Sequence, residues 1–515
     1  MNRRNRLVVP ALLAAVTVAA TGCIPGAGKD ATATTDTIRT TIDVPANFDP
    51  TLTASLPDFV LARTSYDTLL RKDESGLVAG LATEWTSTPS QAVLTLRKGA
   101  TCSDGTEITP TVVKNSLEFF ARPDTGSTVP PQVFGGNVPV ITANDDAGTV
   151  TIDLETPWPD LLTGLSISST GIVCPAGIAD PKGLAEGKVE GSESGPYTLT
   201  SFEPGVKYEY TLRGDYDAWP EWTTAVEGTP AKKLVYSVPA DTTATSNLVI
   251  SGQLDIGGIA PQNMQRFDGM DGYELAVNRF SDYYLLFNER DGSPFTDEAL
   301  RRGVAQAVDR AMFENIVSEG NGELASSLAS FATPCVPDKN PLIPEHDPKA
   351  AKTALDGVSI RFIGPLIAGA GNEYVAEALR AAGADVEIEN TDVGTWITTV
   401  FGEPEAWDVT MFADLNFLGS LTSPLSSFTG PVIEQGGGNI GGVTNPGAED
   451  AFASSRTATD ADARCKHLNT AIDALIGRVD AVPLMNSPFI YVQRPGFTVQ
   501  MLGGSLDDPV FRIAD

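Results

Sequence analysis

The sequence predicts a mixed α/β protein of two or three domains, and three observations carry that prediction. Its 515 residues, with 49 Gly, 36 Pro and 42% hydrophobic residues, have the make-up of a folded chain too long for one core. Short stretches alternating apolar and polar residues recur along the whole length. Between them lie stretches with helical spacing, so strand–helix–strand units mix with adjacent strand pairs. No internal repeat is visible.

Taken in order, TIRTTID (37–43) alternates as a strand and DFVLARTSYDTLL (58–70) has helical spacing. AVLTLRKG (92–99) reads as a strand with a basic end. TPTVVKNSLEFFA (109–121) opens a helix with Thr109 as cap and Pro110 at the first helical position. GTVTIDLETP (148–157) alternates again, PYTLTSFEPGVKYEYTLRGDY (196–216) gives two strands around a Pro-Gly turn, and KKLVYSVP (232–239) gives another. FTDEALRRGVAQAVDRAMFENIVS (295–318) predicts one long helix capped by Thr296, with Leu300, Val304, Ala307, Val308, Met312 and Ile316 on its apolar face. Strands SIRFIGP (359–365) and ADVEIEN (384–390) flank the helix NEYVAEALRAAG (372–383), and WDVTMFA (407–413) is a short buried strand. GGGNIGGVTNP (436–446) lacks a following Lys-Ser/Thr, so it is a loop rather than a phosphate cradle.

The first 22 residues have the form of an export signal: Arg3, Arg4 and Arg6, then an apolar run shorter than a membrane span. Small residues Ala20-Thr21-Gly22 precede Cys23, a pattern that resembles the bacterial lipobox. On that reading Cys23 is diacylated, residues 23–36 form a tether, and the protein is anchored to the extracytoplasmic face of the bacterial cell membrane. An ordinary cleaved signal with an incidental cysteine is the alternative. The whole chain carries a formal charge of −31, which argues against a nucleic-acid partner.

Catalytic and metal chemistry find little support. His346 and His467 are the two histidines, and none of the remaining cysteines, Cys102, Cys174, Cys335 and Cys465, sits in a Cys-x-x-Cys pair. There is no Gly-x-Ser-x-Gly elbow and no His-Glu-x-x-His, so neither an enzyme nor a resident metal or cofactor is expected. In an exported chain four cysteines suggest two disulfides, with three pairings open and free thiols the alternative.

One block, YDTLLRKDESGLVAGLATEWTSTPSQAVLTLRKGATCSDGTEITPTVVKNSLEFF (66–120), resembles the signature region of bacterial extracellular solute-binding proteins of family 5. The resemblance rests on Leu69, Gly76, Leu81-Ala82-Thr83-Glu84-Trp85, Leu96-Arg97-Lys98-Gly99 and Ser103-Asp104-Gly105-Thr106. It continues through FDPTLTAS (48–55), SGPYTLTSFEPG (194–205), FNERDGSPFTDEALRRGVAQAVDRAMF (287–313) and NIGGVTNPGAED (439–450).

This resemblance implies a two-lobed periplasmic-binding-protein-like fold, type II with an extra inserted domain and a hinge between lobes. Lobe I would take 37–65, 190–290 and 482–515, the inserted domain 66–189, and lobe II 291–481. That map puts Cys102 with Cys174 and Cys335 with Cys465, the pairing it favours. The implied role is a monomeric receptor that captures a peptide or small molecule and passes it to an ABC permease and ATPase complex. A sugar conjugate, haem or metal chelate is the alternative cargo, and a signalling or chaperone lipoprotein the alternative role. By resemblance Asp414 holds the ligand's amino group, Trp396 and Phe412 border the pocket, and Tyr283 and Tyr284 approach the cleft. Ala54 and Leu56, in ASLPD (54–58), would offer a strand edge to a peptide backbone. Asp309 and Arg310 are expected to pair or cap on the surface of the long helix.

Overall fold

The computed structural model describes residues 35–123, 127, 129–458, 460–503 and 509–514. The export segment, Cys23 and the tether as far as residue 34 lie outside the described residues. The N-terminal part contributes β1 (Thr37–Thr41), β2 (Leu70–Asp73), β3 (Gly76–Ala79), β4 (Ala82–Thr88), β5 (Gln91–Leu96), β6 (Val140–Asn144), β7 (Thr149–Asp153), β8 (Tyr197–Glu203), β9 (Lys207–Leu212) and β10 (Lys233–Ser237). A first sheet has the order β1-β10-β9-β8, with β1 parallel to β10. The helix Leu56–Ser65 shares a core with it, Val60 and Leu61 meeting Tyr197, Tyr210 and Tyr236.

A second sheet, β4-β5-β7-β6, is covered by the helix Pro110–Phe120. Asp104 accepts the Thr106 N–H at 2.9 Å and Gly105 takes φ +87°, which makes the tight turn that leads toward the helix. Thr109 caps that helix by accepting the Val112 N–H, and Pro110 follows at its first position. The Cys102–Cys174 disulfide ties this region to the segment that leads into β8.

A seven-stranded sheet occupies the rest: β11 (Ile256–Ile259), β12 (Glu274–Phe287), β13 (Glu323–Leu324), β14 (Ser359–Pro365), β15 (Asp385–Thr391), β16 (Val409–Asp414) and β17 (Ala481–Gln493). Its order is β11-β17-β12-β16-β14-β15, with β13 on β17. The first part of β12 pairs with β17 beside β11, and the last part pairs with both β17 and β16. A register shift between Asn278 and Ser281 separates the two parts. These two strands therefore pass from one body to the other. A final hairpin, β18 (Phe497–Gln500) and β19 (Val510–Ile513), packs Phe511 into the core of the first sheet.

On one face of the seven-stranded sheet, Leu285, Phe287 and Met411 meet apolar residues of the helices Glu298–Ala307, Pro348–Leu355 and Ala370–Ala381. On the other, Tyr284, Leu286 and Phe412 share a core with the helices Pro446–Thr457 and Ala461–Gly477. The Cys335–Cys465 disulfide pins the last of these helices. Both bonds are those favoured from the sequence.

Several local expectations are corrected. The long helix is two, Glu298–Ala307 and Arg310–Ser318, because Val308 is extended and Asp309 caps a new start by accepting the Ala311 and Met312 N–H groups. Asp297, not Thr296, caps the first. The break rotates the second helix so that Phe313 is buried while Met312 is 49% exposed. Arg310 turns inward onto the Ala325 and Leu484 carbonyls rather than lying on the surface. The helix expected at 58–70 ends at Ser65, and β2 begins at Leu70. Among the described residues, no helix is long and apolar enough to cross a membrane.

Candidate functional site

Strand alternation decides which residues the seven-stranded sheet presents. On β12, Asp282 and Tyr284 share a face; on β16, their direct partners Asp414 and Phe412 share the same one. Tyr284 stacks on Phe412 with centroids 5.1 Å apart, and Trp396 meets Phe412 edge-on at 5.2 Å. The Trp396 indole is 5% exposed and its N–H donates to Thr410 Oγ1 at 2.9 Å, so it serves as wall rather than donor. Tyr283 points the other way. It packs edge-on against Phe313 and donates to the Ile367 carbonyl, inside the helix-covered core, which removes it from the cleft face.

Asp414 ends β16, where one carboxylate oxygen accepts the Asn416 N–H at 2.9 Å. Asn416 takes a left-handed φ of +37°, turning the chain at the strand end. Burial pushes the Asp414 carboxyl up to about 6. Directly opposite, Asp282 is 1% exposed; burial, and then the charge of Asp414, raise it well above the usual carboxylate range. The Asn486 amide of β17 donates to Asp282 Oδ1. Neither carboxylate has an ion-pair partner among the described residues.

Around this pair lie buried polar atoms with no protein partner among the described residues: Asp282 Oδ2, the Tyr284 hydroxyl, Asn416 Nδ2 and the Ser330 hydroxyl. Buried polar groups are almost always satisfied, so a cluster of orphans marks a place built for something else. Two cation-free carboxylates beside aromatic faces suit a group rich in N–H donors on a flat body. Among the described residues, no three metal-ligating side chains gather.

The opposing wall comes from the first sheet's helix and from the second sheet's loops. Phe59 stacks on Phe417 with ring centroids 3.9 Å apart. Asp160 pairs with Arg464 at 2.7 Å and accepts a hydrogen bond from Ser420. The segment 54–58 is not the strand edge expected. Asp58 accepts the backbone N–H groups of Ala54 and Ser55 at 3.1 and 3.0 Å, and Leu56 starts a helix. Those donors are committed to a cap, so Ala54 and Leu56 cannot pair with a peptide as a strand would.

Of the residues singled out in the sequence, the structure brings Asp414, Tyr284, Phe412 and Trp396 together; Asp282 and Asn486, which the sequence reading did not single out, adjoin them, and Phe59 and Phe417 meet each other. Asp282 left one signal: in SDYYLLFN (281–288) it sits in phase with Tyr284 and Leu286, where a strand facing a core would carry an apolar residue.

A family model, "Bacterial extracellular solute-binding proteins, family 5 Middle", matches residues 76–359. The chain belongs to this family. Family-5 architecture also appears in a substrate-binding protein from Microbacterium hydrocarbonoxydans, whose structure was solved with 4-hydroxybenzoate hydrazide. It is 49% identical, with a TM-score of 0.88 over 93% of this chain and 100% of that one. The murein tripeptide binding protein MppA of Escherichia coli is 20% identical, with a TM-score of 0.78 over 94% and 99% of the two chains, and shares the two-lobed fold. Protein XP55 of Streptomyces lividans is 27% identical over 241 residues, 45% of this chain and 40% of that protein. This chain therefore aligns with less than half of that relative's length. Family-5 members are solute-binding receptors.

Proposed function

We propose that this protein is the extracytoplasmic, lipid-anchored receptor of an ABC importer, and that its cargo is a small peptide-like solute ending in an amine or hydrazide. The observation that carries the cargo class is Asp414, a half-buried carboxylate at a strand end with no counter-cation among the described residues, beside Tyr284 and Phe412. The 49% identical relative adds support, since an acyl hydrazide combines an amide with a terminal amine. Short peptides end in the same kind of group and remain the second cargo.

On this reading lobe I comprises 37–65, 190–290 and 482–515, the inserted domain 66–189 and lobe II 291–481. The crossings within β12 and β17, at the register shift between Asn278 and Ser281, support a two-lobed division and put its β12 boundary nearer that shift than residue 290. Ligand is enclosed as the lobes approach, favouring the closed form by its greater affinity for it. Cys23 would carry the lipid. Metabolic labelling with a fatty-acid analogue should mark the chain and fail on Cys23→Ser.

The cargo is tested by native mass spectrometry of the chain purified without denaturation, followed by calorimetry on protein stripped of ligand. An added mass carrying amine or hydrazide nitrogen, absent from Asp414→Ala, is the expected result. A cargo lacking such nitrogen, or binding indifferent to Asp414, would overturn the reading.

A further inference from the structure

Resting on that cargo reading, we propose that Asp282 is a second ligand-binding carboxyl group, and that it sets selectivity for ends that carry N–H groups on two adjacent nitrogens. Asp282 and Asp414 are direct partners across β12 and β16, so their side chains leave the same face on neighbouring strands. Asp282 accepts the Asn486 amide from β17 on Oδ1 and lies against the Ser330 backbone N–H, and Asp414 accepts the Asn416 N–H. Asp282 keeps Oδ2 without a protein partner among the described residues, and Asp414 has no ion-pair partner among them. The Tyr284 hydroxyl lies within electrostatic reach of both and also lacks a partner.

A carboxyl group this buried is costly to leave unsatisfied, and a structural role would have given its second oxygen a donor. Asn486 instead fixes one edge of Asp282 and leaves the other open. A primary amide offers N–H on one nitrogen and a carbonyl acceptor beside it. A hydrazide adds a second N–H-bearing nitrogen, able to serve the second carboxylate. A carboxylic acid end brings only oxygen and, when ionised, meets like charge. The pair thus ranks hydrazide above amide above acid on one aromatic body.

The test is calorimetry on the full chain, stripped of ligand, with three probes sharing one ring: 4-hydroxybenzoate hydrazide, 4-hydroxybenzamide and 4-hydroxybenzoate. Wild type should bind the hydrazide at least about tenfold tighter than the amide and show the weakest binding to the acid. Asp282→Asn, which preserves shape, should narrow the hydrazide-to-amide ratio to about threefold or less while moving the amide little. Asn486→Ala, which releases Asp282 from β17, should narrow the same ratio and serves if Asp282→Asn does not fold. A ratio unchanged in the folded Asp282→Asn protein, or in Asn486→Ala where that variant stands in, would overturn the role of Asp282 alone. An equal loss for every probe would likewise reduce Asp282 to scaffolding. No binding of any probe by wild type would overturn the cargo reading and this inference together.

Discussion

Phe59 and Phe417 stack 3.9 Å apart at their centroids, with planes 29° from parallel, although one belongs to the helix Leu56–Ser65 and the other follows β16. The contact joins the two bodies, so it exists only while they are together. An aromatic pair contributes about 0.5–1.5 kcal/mol beyond its buried area. Phe417→Leu keeps an apolar side chain and removes the stack. Ligand affinity should fall about threefold to tenfold, with a larger radius of gyration for the ligand-free chain, measured by calorimetry and small-angle scattering.

Asp160 and Arg464 make a second joint of the same kind, 2.7 Å apart, with the carboxylate buried and the arginine partly open to solvent. Removing one member leaves the other's charge poorly satisfied. Arg464→Ala should weaken ligand binding by about tenfold, reflecting a loss of roughly 1–2 kcal/mol, below the full cost of breaking a buried pair because Arg464 keeps some water. A double-mutant cycle with Asp160→Asn should recover most of that coupling. Additive effects would mean that the pair does not bias closure.

Asp414 should make stability and affinity respond to pH in opposite directions. Its native pKa, raised to about 6, means the folded protein keeps a proton that the unfolded chain has lost. That contribution is full below about pH 4 and is lost as pH rises through 6, on the order of 1–3 kcal/mol. Affinity for an ammonium or other cationic ligand should instead rise between pH 5 and 7, as the carboxylate ionises. Asp414→Asn should melt higher than wild type at pH 7.5 and bind at least about thirtyfold more weakly, since a charge-assisted contact is lost. Thermal melts and titrations over that range check both.

The disulfides close long loops, Cys102 to Cys174 over 72 residues and Cys335 to Cys465 over 130. Replacing either pair by serine should lower unfolding stability by about 2–4 kcal/mol in urea. The second pair should also affect binding, because Cys465 adjoins Arg464 and holds the end of the helix from which that arginine reaches Asp160. Loss of stability with unchanged affinity would separate the bond from the joint.

Much of this fold was legible because its signals are local. Thr109-Pro110 cap a helix by chemistry that needs no distant partner, and Asp104-Gly105 make their turn alone. The break at Val308-Asp309 was not legible, because the apolar spacing runs on through it and only the chance for Asp309 to cap a new start ends the first helix. At the site, Tyr283 and Tyr284 look alike in sequence, and one position of strand phase sends them to opposite faces. The acidic cap at Asp58 turned an expected strand edge into a helix start by drawing in two backbone donors from Ala54 and Ser55. The contacts of Phe59 with Phe417 and of Asp160 with Arg464 left no trace in the sequence, since each joins residues far apart along the chain.

β12 and β17 are hydrogen-bonded to each other on both sides of the register shift at Asn278 and Ser281. A joint made of two independent linkers would let one body swivel, tilt and slide against the other. Two strands laced together act more like a strip of spring steel: they bend easily across the ribbon and resist shear along it. The bodies are therefore held to one arc of travel, and each approach returns Phe59 to Phe417 and Asp160 to Arg464 in the same register. Such a joint makes each approach reproducible, because the same residues meet every time the strip bends.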